Sequence, residues 1–190
     1  RRTDTAEDLS KVARLDEVYL NTFHITVKTE DEKTKLVWPE IQMPLYLHGL
    51  LQHKIKKPVD SMDTLKKHWN YFQAELKEPL KEENLRNLVY SIANAIEVSE
   101  KTSQDLYLND LVQYSTHYLT LYPSHSKKRE LAFLASSVLF KANRTDDALK
   151  SSEILFLENP NDDTGSKSFK NIKVSLYNSK NWKKAYEVSN

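Results

Sequence analysis

Residues 143–161 read NRTDDALKSSEILFLENPN, and this stretch decides the fold class. It opens with a turn at Asn143 to Thr145, continues with apolar residues at helical spacing, and closes at Pro160, which cannot continue a helix. Ala148 places a small side chain in that helix, where it lets a second, antiparallel helix approach closely. Because one hairpin cannot bury its own apolar face, the stretch predicts a protein built from stacked helix pairs.

The pattern resembles the second half of a tetratricopeptide repeat. Ala148 and Pro160 match the family positions at a separation of twelve residues, and counting back places the small Ser136 and the large Leu139 where the preceding helix of that family has such residues. The resemblance covers residues 104–190. It implies an all-α fold in which antiparallel helix hairpins stack as a TPR-like α-solenoid.

A second copy of the pattern follows, with two departures. Lys173 stands where the family has a small residue, and Ala148 to Ala185 spans 37 residues instead of the family's 34. The residues that do fit are Phe169, Ile172, Leu176, Tyr177, Trp182 and Ala185, with Asn178-Ser179-Lys180-Asn181 as the turn. An irregular helical bundle is the alternative, and pentatricopeptide, HAT and HEAT-like arrays share the same hairpin physics.

Helical periodicity also extends through the rest of the chain. It predicts helices over 5–22, from Pro44 to the Lys57-Pro58 step, and over most of 61–190. The turns of that last region are expected near 79–83, 101–104, 123–127, 143–146 and 160–165.

The N-terminal part lacks the repeat pattern. Short β-branched and aromatic runs near 23–38 favour a small β-hairpin or an ordered loop. We therefore expect residues 1–60 to form a non-repeat element and residues 61–190 to form the helical-repeat array. Because the chain begins at Arg1 and ends at Asn190 inside a helical pattern, we also expect it to be a piece of a longer protein.

The composition argues against catalysis. Two glycines are too few for a nucleotide-binding or catalytic loop, and the absence of cysteine excludes disulfides, thiolate zinc sites and cysteine nucleophiles. His48 and His53 are five residues apart, which does not place both rings on one helix face for a metal. We expect no enzyme activity, no cofactor and no metal site.

The sequence favours a protein–protein interaction scaffold or adaptor, as a subunit of a larger complex. The partner is expected to be another protein or a peptide segment, with acidic segments favoured. The repeat register and the resemblance together nominate a partner-binding groove with these residues: Phe133, Ser137, Phe140, Lys141, Lys167, Lys170, Asn171 and Asn178.

The alternative function is RNA binding by a helical-repeat protein. It is disfavoured because 28 basic and 27 acidic side chains leave a net charge of only +1. No apolar run approaches the roughly 20 residues of a membrane span, so we expect no membrane insertion and a cytoplasmic or nuclear location.

Overall fold

The computed structural model describes residues 39–158 and 163–178, together with residues 180 and 183. Within those residues the chain forms seven helices and no strand, which confirms the all-α prediction. The helices are α1 (Pro39–Lys54), α2 (Pro58–Phe72), α3 (Leu80–Val98), α4 (Lys101–Leu121), α5 (Lys128–Lys141), α6 (Thr145–Glu158) and α7 (Asp163–Asn178). The predicted helix at 5–22, the hairpin or loop at 23–38, and the end of the second repeat copy lie outside the described residues.

The chain divides into two compact units, Arg1–Ser99 and Glu100–Asn190. Helices α1 to α3 belong to the first unit and α4 to α7 belong to the second. The expected division between a non-repeat element at 1–60 and an array at 61–190 stays a prediction.

In the first unit, α1 and α3 both pack against α2. The apolar residues of α2 recur every three or four positions, and Met62, Leu65 and Trp69 are almost completely buried. The crossing of α1 and α2 is close at Gly49, where an added Cβ would lie 2.7 Å from Leu65 Cδ2. Glycine at this position therefore allows the two helices to approach.

In the second unit, α5 is the central helix and packs against α4, α6 and α7. Buried residues lie on most sides of it, as the nearly continuous apolar run from Leu131 to Ala142 predicts. Ala148 of α6 is fully buried, as are Ser136 and Leu139 of α5. This burial agrees with the hairpin register and fits a helical repeat, but it does not identify the tetratricopeptide family.

The turn between α5 and α6 explains how a chain so poor in glycine ends a helix. Asn143 has a positive φ of 61°. The N–H of Asn143 donates to the carbonyl of Phe140 at 3.0 Å, and the N–H of Arg144 donates to that of Leu139 at 2.9 Å. These bonds form a Schellman motif, in which asparagine takes the left-handed position that glycine usually occupies.

Several predicted boundaries were wrong by a few residues. Helix α1 begins at Pro39, so Pro44 lies inside it. A proline at this position removes one intrahelical hydrogen bond, yet the helix continues through Pro44 and packs on α2.

The turn expected at 79–83 lies earlier, at 73–79. Helix α3 already begins at Leu80, and its first turn places Glu82 and Glu83 near the positive end of the helix dipole. Glu78 Oε2 also accepts a hydrogen bond from the Glu82 N–H at 3.2 Å. The turn expected at 101–104 is likewise earlier, at Ser99 and Glu100.

Candidate partner-binding face

Helix α5 carries four of the predicted groove residues, and the structure places them in different environments. Phe133 and Ser137 are half-buried, Lys141 is exposed, and Phe140 is only 7% exposed. Phe140 therefore belongs to the core of the second unit, because α5 has neighbours on three sides. Its role in partner binding stays a prediction that would require the core to open.

Helix α7 carries the other four predicted residues. Lys167, Lys170 and Asn171 are exposed, whereas the side chain of Asn178, the last residue of α7, lies outside the described part of the chain. Helices α5 and α7 pack against each other, so the prediction placed its residues on neighbouring helices. The exposed groups nevertheless concentrate on α7.

The outer face of α7 is both apolar and positively charged. Ser168, Ile172 and Leu176 are buried on the inner side of the helix. On the opposite side Val174 is 52% exposed and Tyr177 is 65% exposed. At 3.6 residues per turn, Lys170, Val174 and Tyr177 share one face, so two large apolar groups lie in solvent beside a lysine. We call the exposed residues Lys167, Lys170, Lys173, Val174 and Tyr177 the α7 face.

The charged groups of α7 give this face a positive potential. The helix contains three lysines and one aspartate. Asp163 pairs with Lys167, and Lys173 Nζ lies 4.4 Å from the centre of the Phe169 ring. The quadrupole of an aromatic ring attracts a cation above its face, which restrains the position of the lysine. The family pattern expects a small residue at position 173, but here the lysine is exposed and no close helix contact is needed.

A cleft lies between α4 and α6 of the same unit, and sequence analysis did not find it. Its volume is about 350 Å³, and it is lined by Val112, Thr116, Leu119, Thr120, Asp147, Lys150 and Ser151. The two sets of lining residues recur at helical spacing, which is also the spacing of ordinary core residues. The sequence therefore contained no signal that could separate this cleft from the core.

The first unit contains a buried polar cluster at the meeting of its three helices. Tyr46 Oη accepts a hydrogen bond from Asn87 Nδ2 at 2.8 Å, and its ring centre lies 5.5 Å from that of His68. Burial and then the nearby Glu83 carboxylate raise the pKa of Tyr46 above its usual range. His68 and Asn84 are 0% exposed, and no polar atom of either side chain has a well-formed hydrogen bond.

Burial lowers the pKa of His68 below 6.5, against smaller opposing contributions from the Asn84 side chain and the Gln42 backbone. The imidazole is therefore neutral near pH 7. Because the cluster is enclosed by the three helices, we assign it to the core of the first unit and not to a binding surface.

Three further observations concern metal ions, membranes and known proteins. No three histidine, aspartate or glutamate side chains in that part of the chain converge on a position suited to a metal ion. None of the helices described there is both long and apolar enough to span a bilayer. Comparisons with protein-family models, with curated proteins and with solved structures gave no match.

Proposed function

We propose that this protein is an interaction scaffold that binds another protein through the α7 face. The observation that supports the proposal most strongly is the exposure of Val174 and Tyr177 on the side of α7 opposite its buried stripe. Apolar and aromatic groups exposed together on one helix face are typical of contact surfaces, and aromatic residues supply much of the binding energy at protein interfaces.

The charge of the α7 face indicates the chemistry of the partner. Lys167, Lys170 and Lys173 surround the two apolar groups, and Asp163 is the one acidic residue of the helix. A complementary partner would present large apolar side chains flanked by carboxylates, on a helix or an extended peptide. In such a contact the lysines mainly raise the association rate and fix the register. Assembly into a larger complex, in the cytoplasm or the nucleus, is part of this proposal.

A charge reversal tests the proposal. Replacing Lys167→Glu together with Lys170→Glu should leave the circular-dichroism spectrum unchanged, because both side chains are exposed. Binding of the cellular partner should weaken about tenfold or more, and the difference should shrink at high salt. Lys77→Glu with Lys101→Glu is the matched control, since it changes the net charge equally at exposed positions outside α7.

The assay uses partners purified from cell extract, with and without nuclease treatment, and quantified by mass spectrometry. The proposal is supported if the wild type binds a partner with or without nuclease treatment and only the α7 variant loses that binding. Equal binding by wild type and the α7 variant would contradict it. Partners that disappear with nuclease would favour the RNA-binding alternative instead.

A further inference from the structure

The cleft between α4 and α6 is a separate feature from the α7 face, and it combines an apolar interior with a charged rim. Val112, Thr116, Leu119 and Thr120 line one wall from α4, and Asp147, Lys150 and Ser151 line the other from α6. Both helices pack against α5, and they contact each other only sparsely. The space between them is therefore left open along the surface of the second unit.

The interior of the cleft is suited to an apolar group. Leu119 is 9% exposed and Val112 is half-buried, and the exposed residues Thr116 and Thr120 line the same wall. The Thr120 hydroxyl donates to the Thr116 carbonyl at 2.8 Å, so its proton is already engaged within α4. A volume of about 350 Å³ lies at the lower end of the roughly 300–1,000 Å³ typical of ligand pockets.

The two charged residues at the rim differ in their partners. Arg144 holds the Asp147 carboxylate through Nη2 at 2.6 Å and Nε at 2.8 Å. The Lys150 ammonium is exposed, and within the described part of the chain it has no ion-pair partner. The rim therefore offers an incoming group one available positive charge, while its negative charge is already neutralised.

We propose that this cleft binds a partner segment through one large apolar side chain and one carboxylate. The apolar side chain fills the space between Val112 and Leu119, and the carboxylate pairs with Lys150. Insertion of an amphipathic helix into a groove between two helices is an established recognition mode, and it places both groups one turn apart on the incoming helix. The proposal rests on the proposed scaffold function, but it assigns that function a second contact surface.

The probe is a display library of random 16-residue peptides selected on the 190-residue chain. Recovered peptides should carry a large apolar residue and an acidic residue three or four positions apart. Their affinity, measured by fluorescence anisotropy, should fall about tenfold or more for Thr116→Trp, which fills the cleft, and for Lys150→Glu. Gln113→Trp and Lys101→Glu are the matched controls, since both residues are exposed on α4 and neither lines the cleft.

The α7 double charge reversal separates this proposal from the scaffold proposal. Peptides whose affinity depends on Thr116 and Lys150 should bind that variant with the same affinity as the wild type. Peptides that are lost with the α7 reversal but not with Thr116→Trp would overturn the cleft assignment and leave the scaffold function standing. Thr120→Trp is a second variant that fills the cleft. If no recovered peptide loses affinity in the Thr116, Thr120 or Lys150 variants, the cleft assignment is also overturned.

Discussion

The two compact units hold their helices together by different kinds of contact. In the first unit, polar groups link one helix to another. Ser61 Oγ of α2 donates to the Gly49 carbonyl of α1 at 2.7 Å and lies 3.1 Å from Ser91 Oγ of α3. The same unit buries the polar side chains of His68 and Asn84 without well-formed hydrogen bonds.

In the second unit, two buried serines form hydrogen bonds within their own helices. Ser152 Oγ donates to the Ala148 carbonyl at 2.7 Å, and Ser136 Oγ donates to that of Phe133 at 3.0 Å. The helices approach closely at these positions because the side chains are small.

Two arginines of the second unit instead make polar contacts between its elements. Arg129 Nη1 of α5 donates to the Leu155 carbonyl of α6 at 3.3 Å, and Arg144 Nη1 donates to Asn109 Oδ1 of α4 at 3.0 Å. We conclude that the first unit should respond to pH and to the loss of single hydroxyl groups. The second should tolerate both and should fail when bulk or charge enters its core.

The largest expected effect is that of Ala148→Arg in the second unit. Ala148 is 0% exposed, so the longer side chain would overpack the contact with α5 and bury an unpaired charge. We expect a loss of about 4 kcal/mol or more in the free energy of unfolding. Urea denaturation measures the loss, and hydrogen exchange assigns it to α5–α7.

Glu153→Arg is the matched control for that substitution, because it introduces the same side chain at an exposed position of α6. Its effect should stay within about 0.5 kcal/mol. A variant at Ala148 with wild-type stability would mean that the hairpin register is wrong.

The next effect concerns Gly49 in the first unit. In an unhindered helix, Gly→Ala stabilises by about 1 kcal/mol. Here the new Cβ would lie 2.7 Å from Leu65 Cδ2 and 2.8 Å from Leu65 Cγ, so Gly49→Ala should destabilise by about 1–3 kcal/mol. The sign of the change in a denaturant titration therefore tests the close approach of α1 and α2.

A double substitution sharpens the Gly49 test. Because Leu65→Ala removes the atoms that the new Cβ would meet, the cost of Gly49→Ala should be smaller in that background. Strict additivity of the two changes would be evidence against a direct contact.

The pH dependence of the first unit should follow His68. The folded-state pKa of this residue lies below 6.5, so at lower pH the unfolded chain binds a proton that the folded chain does not. The contribution to stability is complete above pH 6.5 and is lost as the pH falls below it, by at most about 1.4 kcal/mol per pH unit. Hydrogen exchange in α1–α3 as a function of pH measures this loss.

His68→Leu should flatten that pH dependence, whereas His53→Leu, at an exposed position of α1, should preserve it. A profile for the first unit that is the same in wild type and His68→Leu would show that other groups control its response to acid.

The smallest effects distinguish the two kinds of serine. Ser61→Ala removes a hydrogen bond between helices and should cost about 1 kcal/mol. Ser152→Ala removes a bond within one helix to a carbonyl that also accepts in the helical pattern, so it should cost less than about 0.5 kcal/mol. If thermal denaturation shows the same loss of stability for both substitutions, the proposed difference between the two units is wrong.

Sequence reasoning found most helices of the described region because their apolar residues recur every three or four positions, and it found α5 because its apolar run is nearly continuous. It found the α5–α6 hairpin because Asn143 and Ala148 are local signals for a helix end and a close helix contact. It placed the start of α1 wrongly because proline usually marks a helix boundary, whereas this helix begins at Pro39 and continues through Pro44. Local sequence does not show whether tertiary packing will support such a proline.

The site was predictable only in part. Lys167 and Lys170 were nominated from the repeat register and the family resemblance, and both are exposed, as expected for charged side chains. Phe140 could not be distinguished from a surface residue, because its burial depends on which helices surround α5. Tyr177 was assigned to the apolar repeat pattern, yet it is exposed, and the α4–α6 cleft arises from the spacing of two helices that no single segment encodes.

The central claim is that the α7 face binds a partner, and site-specific photo-crosslinking tests it most directly. Benzoylphenylalanine would replace Tyr177 in one variant and Tyr71 in another, two tyrosines that are 65% and 68% exposed in different units. We expect position 177 to form a crosslink to one protein in cells, and position 71 to form no such product. The crosslink at position 177 should persist after nuclease treatment and should disappear when Lys167→Glu and Lys170→Glu are added. Crosslinking of the same protein from both positions, or none from position 177, would contradict the claim.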